Sequence, residues 1–292
     1  MENLSLILFS ICIQAAIGIM IFVALGKSFN KEGQFKTAIV TAAGLAIVGF
    51  LASLLHLGKP LAALNSLLHF STSWLSREIW FTGAFTGITL LIALLVIARP
   101  SAKGAVNALA PLVAVVGLVD VYMMASIYGF ASVPAWQHGS LTIEFYAAAI
   151  SMGAVMFLAL SGQEAVKVKK PASLAVGAVV IVQVAAMVLY YIQLGTSGNG
   201  AAGQSLALLN SMSGIMAMKW MLILFGAGLL FFPVGKGGTK VSAGQDAVQA
   251  AATTEGAVDT AVYLAAALVV VGQILGRYLF YAIMVVNTVG LS

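Results

Sequence analysis

Long apolar runs separated by short charged or Gly/Pro-containing breaks fill most of this chain. Reading from break to break gives eight of them: residues 4–26, 37–57, 75–98, 104–129, 142–162, 172–194, 207–232 and 257–289. A helix needs about 20 apolar residues to cross a hydrocarbon core of about 30 Å, and each run supplies that length. The runs are continuous and rich in Ala, Leu, Val and Gly, without the two-residue alternation of a membrane β-strand. A helix also satisfies its backbone hydrogen bonds within itself, which lipid demands. The expected fold is an all-α integral membrane protein, a bundle of eight transmembrane helices. It forms a single membrane domain over residues 1–292, with a polar linker at 235–256.

Composition agrees. Of 292 residues, 61% are hydrophobic and 8% charged, with a mean hydropathy of +1.06, whereas soluble domains carry about a quarter charged residues. The net charge of +5 matters through its placement and does not point to nucleic acid. Lys27, Lys31 and Lys36 follow the first run, Arg99 and Lys103 the third, Lys167, Lys169 and Lys170 the fifth, and Lys236 and Lys240 the seventh. The positive-inside rule makes these four loops cytoplasmic. Both termini and the segments 58–74, 130–141 and 195–206 then fall on the outer, periplasmic face of the inner membrane. The first run opens with Glu2 and is too long for a signal core, so it reads as the first span. The stretch "GTSGNGAAGQSL" at 195–206 reads as a flexible loop. Pro60 followed by Leu61, Leu64, Leu67 and Leu68 suits a short interfacial helix.

The sole cysteine, Cys12, lies inside the first run, so there is no intrachain disulfide and no cysteine series for an iron–sulfur cluster or structural zinc. The three histidines, His56, His69 and His138, all fall at outer ends or connections. No mid-helix pair exists to ligate haem, so neither haem nor a metal site is expected. Trp74, Trp80 and Trp136 read as an outer interfacial belt that also offers walls for a ring-shaped ligand.

Ionisable residues in spans mark function by default, because each costs about 2.5–3.5 kcal/mol at mid-bilayer on insertion scales. The stretch "SLLHLGKPLAAL" from Ser53 puts His56 at the outer end of the second span, and "WLSREIW" puts Arg77 and Glu78 at the outer start of the third. An imidazole with an ordinary pKa of about 6.5 accepts a proton near neutrality, and a carboxylate beside it takes a second. That pairing suits quinol oxidation, which sheds two protons with two electrons. The competing reading makes His56 a helix cap and Arg77 and Glu78 headgroup-level charges. Asp120 falls within the fourth span, with Lys219 or Arg277 as its expected partner. Such a pair is either structural or part of a proton path or quinone-carbonyl site. Gln14, Gln183, Gln193 and Gln273 read as ordinary interhelical hydrogen-bonding groups.

Several of these stretches carry a family resemblance. "LASLLHLGKPLAALNSL", then "LSREI", "YMMASIYGFASVPAW" and "GRYLFY" occur in an order that resembles the DmsC family, the membrane anchors of dimethyl sulfoxide reductase complexes. The resemblance spans the whole chain. It implies a haem-free anchor that oxidises menaquinol in anaerobic respiration. Electrons would pass to a four-cluster iron–sulfur subunit and on to a molybdopterin catalytic subunit. By position, His56 carries over as the quinol-site histidine and Glu78 as its acidic companion. Arg77, Asp120 and Arg277 complete the expected quinol-binding set.

Two rivals come from other classes. One is a secondary transporter using Asp120, Lys219 and Arg277, which paired broken helices would favour, the nearest candidate being "GAGLLFFPVG" near residue 226. The other is a passive anchor with no quinone site.

Overall fold

A computed structural model describes the backbone of residues 2–55, 67–231 and 245–286 and the side chains of residues 4–55, 67–231 and 260–286. All regular structure among the described residues is helical: α1 Glu2–Phe29, α2 Lys36–Leu55, α3 Trp74–Ala98, α4 Lys103–Gly129, α5 Gly139–Ser161, α6 Val166–Thr196, α7 Gly200–Ser211, α8 Ser213–Leu229 and α9 Gln245–Ala282. Short 3-10 turns occupy Leu67–His69, Pro134–Trp136 and Gly162–Ala165.

Six helical stretches are long and apolar enough to cross a membrane, and α7 with α8, bent by 69° at their junction, makes a seventh. One of the six, Gly139–Thr196, contains both α5 and α6. The chain reverses between them through Gly162, whose φ of +45° is one that glycine adopts without strain. The two arms then pack against each other.

α1 is the central helix. In its most apolar window 78% of residues are buried, against 33–44% in the other spans. It packs on α2, α4 and α5 and touches α9. Association in lipid relies on close van der Waals approach, which small residues permit. Gly18 of α1 and Gly153 of α5 do this here, since a Cβ on either would strike the other helix's backbone. Cys12 is buried within α1.

Helix ends are fixed by local chemistry. The Ser73 hydroxyl accepts from Ser76 N to start α3, His138 Nδ1 accepts from Ser140 N to start α5, and Asn199 Oδ1 accepts from Ala201 N and Ala202 N to start α7. These are N-caps, which satisfy amide groups the helix itself leaves free. At the lysine-rich end, the Glu164 carboxylate accepts from Gln34 N and Phe35 N, and the Lys27 ammonium donates to Gly33 O. These bonds hold Phe35 in a left-handed conformation, φ 48°, just before α2.

Three expectations change. Most of the Gly/Ser-rich stretch 195–206 is helical: α6 runs to Thr196 and the Asn199 cap starts α7 at Gly200. The run 207–232 is not one straight helix but breaks at Met212, whose N–H turns to Leu208 O and Leu209 O. The expected polar linker is helical from Gln245 onward, and the interfacial helix expected from Pro60 falls largely outside the described residues, with Leu67 and Leu68 in a 3-10 turn.

Candidate functional site

The N-terminus of α1, the C-termini of α2, α4 and α9 and the N-termini of α3 and α5 gather at one end of the bundle. Trp74 of α3 stacks on Phe130 after α4 at 5.4 Å, and Trp136 before α5 donates to Phe280 O at the end of α9. Buried polar side chains concentrate in this half.

The first group lies between α3 and α4. Glu78 and Thr82, one turn apart on one face of α3, are both buried, and so is Asp120 of α4, which has no exposed surface. The Thr82 hydroxyl donates to the Asp120 carboxyl, 2.9 and 3.1 Å from its two oxygens. Glu78 lies close enough to Asp120 for the two carboxyl groups to interact electrostatically. Farther along the same face, the buried hydroxyls of Thr86 and Thr89 have no hydrogen-bond partner among the described residues.

This overturns the expected pairing of Asp120. Its partner is the neutral Thr82, because Lys219 pairs with Glu144 at 3.2 Å and Arg277 donates to Gln14 Oε1 at 2.8 Å. Arg77, although adjacent to Glu78, faces elsewhere. Its guanidinium donates to Phe70 O and Ser71 O and lies 4.4 Å from the Trp74 ring, tying the connection before α3 to its first turn. His56 lies outside the described residues and follows Leu55, the last residue of α2, directly in the chain.

Next to the carboxyl pair, Tyr128 of α4 and Tyr281 of α9 share a hydroxyl–hydroxyl hydrogen bond of 2.6 Å. Both phenols lie within electrostatic reach of Glu78 and of Arg277. Trp136 joins this aromatic cluster, stacked on Phe280 at 4.8 Å. It is buried, which corrects its expected place in a lipid-facing belt, whereas Trp80 is exposed. Its indole N–H finds a carbonyl, the usual condition for burying tryptophan.

The second group lies between α5, α6, α8 and α9. Lys219 and Gln183 both donate to Glu144 Oε2, at 3.2 and 2.7 Å, and Gln273 donates to Ser151 at 3.0 Å. Gln183 and Gln273 thus serve as the interhelical bridges expected of them. A cavity of about 80 Å³ opens here, lined by Glu144, Lys219, Gln273 and Arg277 among mostly apolar side chains. Sequence reasoning passed over Glu144, although an acidic residue inside an apolar run was the signal available.

At the rim, His138 caps α5 through Nδ1 and lies near Tyr190, and partial burial lowers its pKa from the ordinary histidine value. Among the described residues no group of three His, Cys, Asp or Glu side chains could hold a metal ion.

Comparison with known proteins points in one direction. The family described as "DMSO reductase anchor subunit (DmsC)" matches residues 1–283. The protein is 25% identical over 295 residues to the YnfH subunit of anaerobic dimethyl sulfoxide reductase from Escherichia coli, a match that takes in 98% of its own length and 96% of that relative's. It is 32% identical over 166 residues to the C subunit of anaerobic dimethyl sulfoxide reductase from Haemophilus influenzae, 54% of its own length and 58% of that relative's. The corresponding C subunit from Escherichia coli is 27% identical over 239 residues, 78% and 81% of the two lengths.

Proposed function

Because the chain belongs to the DMSO reductase anchor subunit (DmsC) family, we propose that it is the quinol-oxidising membrane anchor of a dimethyl sulfoxide reductase-type complex. One observation carries the reading: Glu78 and Asp120, two buried carboxyl groups within electrostatic reach of each other, lie in the half of the bundle that holds the C-terminal end of α2. A membrane protein retains buried ionisable groups chiefly where they handle protons or ligands.

In this reading a menaquinol headgroup enters from the bilayer and hydrogen-bonds to His56. Oxidation to the quinone releases two electrons and two protons. His56 accepts one proton and Glu78 the other, while Asp120, held by Thr82, sets the charge around Glu78. The electrons leave to an iron–sulfur subunit of four clusters and then to a molybdopterin subunit, both docked at the His56 end. The Tyr128–Tyr281 pair lies within electrostatic reach of Glu78 and adds to the same polar surroundings.

Eight spans with both termini on the periplasmic side of the inner membrane complete the proposal. Counting α5 and α6 as separate spans, α7–α8 as one and α9 as the last supports that number. Two of the cationic loops meet at the opposite end, where Lys103 pairs with Glu32 at 2.6 Å and Asn107 donates to Lys31 O. The Lys103 hydrogen bond lowers the pKa of Glu32.

Titration of the complex with a fluorescent quinol-site inhibitor of the hydroxyquinoline N-oxide type tests the site. The reading expects binding by the wild type, none by His56→Ala and weakened binding by Glu78→Gln. Equal binding by all three would place the inhibitor elsewhere and overturn the assignment.

A further inference from the structure

The cavity at Glu144 and Arg277 contains charges that no partner on its wall balances. Its lining holds two cations, Lys219 and Arg277, and one carboxylate, Glu144. Lys219 takes that carboxylate as its ion-pair partner, whereas Arg277, only 5% exposed, makes no ion pair among the described residues. Its guanidinium donates to the neutral Gln14 and lies against Phe145 at 3.8 Å, and its Nε has no acceptor among the described residues. Glu144 Oε1 likewise has no hydrogen-bond partner among the described residues. Glu144 lies within electrostatic reach of Arg277 but is already paired with Lys219, so one buried positive charge stays in excess on this wall, and an unmet guanidinium donor adds to its cost. The wall is one anion short of neutral.

We propose that this cavity binds an oxyanion, presented either by the acidic headgroup of a phospholipid or by free phosphate, at a site separate from the Glu78–Asp120 pair. Arg277 Nε supplies a donor in a planar group suited to phosphate oxygens. Glu144 Oε1 accepts from a hydroxyl on the ligand or from water. The volume is about 80 Å³, well above the roughly 15 Å³ that a single water needs, so the chamber has room for an oxyanion. Leu141, Met187, Leu209 and Met216 on the same wall give an acyl tail apolar contact. Leu209 and Met216 flank the α7–α8 break, so the bend helps to shape the chamber.

The test titrates the purified, delipidated complex in phosphate-free buffer, once with a short-chain phosphatidylglycerol and once with inorganic phosphate. One site per complex that disappears in a folded Met216→Trp variant, which fills the cavity without altering a charge, is the expected result. Arg277→Gln should weaken binding at least about tenfold, the loss of one charge-assisted hydrogen bond, Arg277→Lys less so, and Glu78→Gln not at all. Binding of the lipid alone identifies a lipid headgroup site, and binding of phosphate as well identifies a general oxyanion site. Failure of both ligands to bind the wild type overturns the proposal. So does unchanged binding in Met216→Trp, a result that remains decisive if Arg277→Gln does not fold.

Discussion

At the scale of single residues, burial and hydrogen-bond partner decide what each ionisable group can do. Glu78 is buried within electrostatic reach of a second carboxyl group, and in the proposed reading it is the one that takes a proton from the quinol. Glu78→Gln, nearly isosteric, should therefore leave the bundle folded while lowering quinol-dependent turnover by at least about tenfold, within the range ascribed to a general base. A stopped-flow assay with a reduced quinol analogue checks it. His138 behaves differently, because its Nδ1 must be unprotonated to cap α5. Burial lowers its pKa in the folded chain, so its contribution to stability is complete above the unfolded value of about 6.5 and fades as pH falls below it. Thermal melts of wild type and His138→Ala should differ by about 1 kcal/mol at pH 8 and converge toward pH 5. The sequence made Glu78 and Asp120 conspicuous, since charges stand out in apolar runs. It concealed their partners, because an apolar run carries no phase marking which face turns inward. Thr82, 38 residues from Asp120, was indistinguishable from any other span threonine, and Glu144 was overlooked for want of a visible partner.

At the scale of elements, the helices are set by length, caps and small-residue contacts. Run lengths located most spans to within a few residues, because the bilayer imposes a length that composition reports directly. The α7–α8 break at Met212 was invisible, lacking Pro at the bend, while the Asn199 cap was obscured by the surrounding Gly and Ser. Gly18 and Gly153 let α1 and α5 approach so closely that a Cβ on either would strike the other helix's backbone. Gly153→Ala should destabilise the bundle by about 1–3 kcal/mol through overpacking. Gly83→Ala, with nothing within 4 Å of the new methyl group, should be neutral or slightly stabilising. Unfolding of the two variants in mixed micelles separates these outcomes. Equal stability would mean that the α1–α5 contact is looser than its geometry.

At the scale of the whole molecule, α1 is the hub around which the other helices gather, with the Lys103–Glu32 pair at one end and the carboxyl pair in the half near the other. Because Cys12 is the sole cysteine and is buried, introduced thiols report topology cleanly. In intact cells a membrane-impermeant maleimide should label Ser197→Cys and leave Ser101→Cys unlabelled, since the proposed orientation puts these exposed positions on opposite sides. The reverse pattern would invert the anchor and put the His56 end in the cytoplasm. The central claim concerns electrons entering through this chain. It is tested most directly by measuring, in membranes containing the assembled complex, acceptor reduction driven by a menaquinol analogue and by a water-soluble dye that bypasses the anchor, for wild type and His56→Ala. The account predicts that His56→Ala abolishes the quinol-driven rate and preserves the dye-driven rate. Full quinol-driven turnover in that variant, with the complex intact, would contradict it and leave the chain a passive anchor.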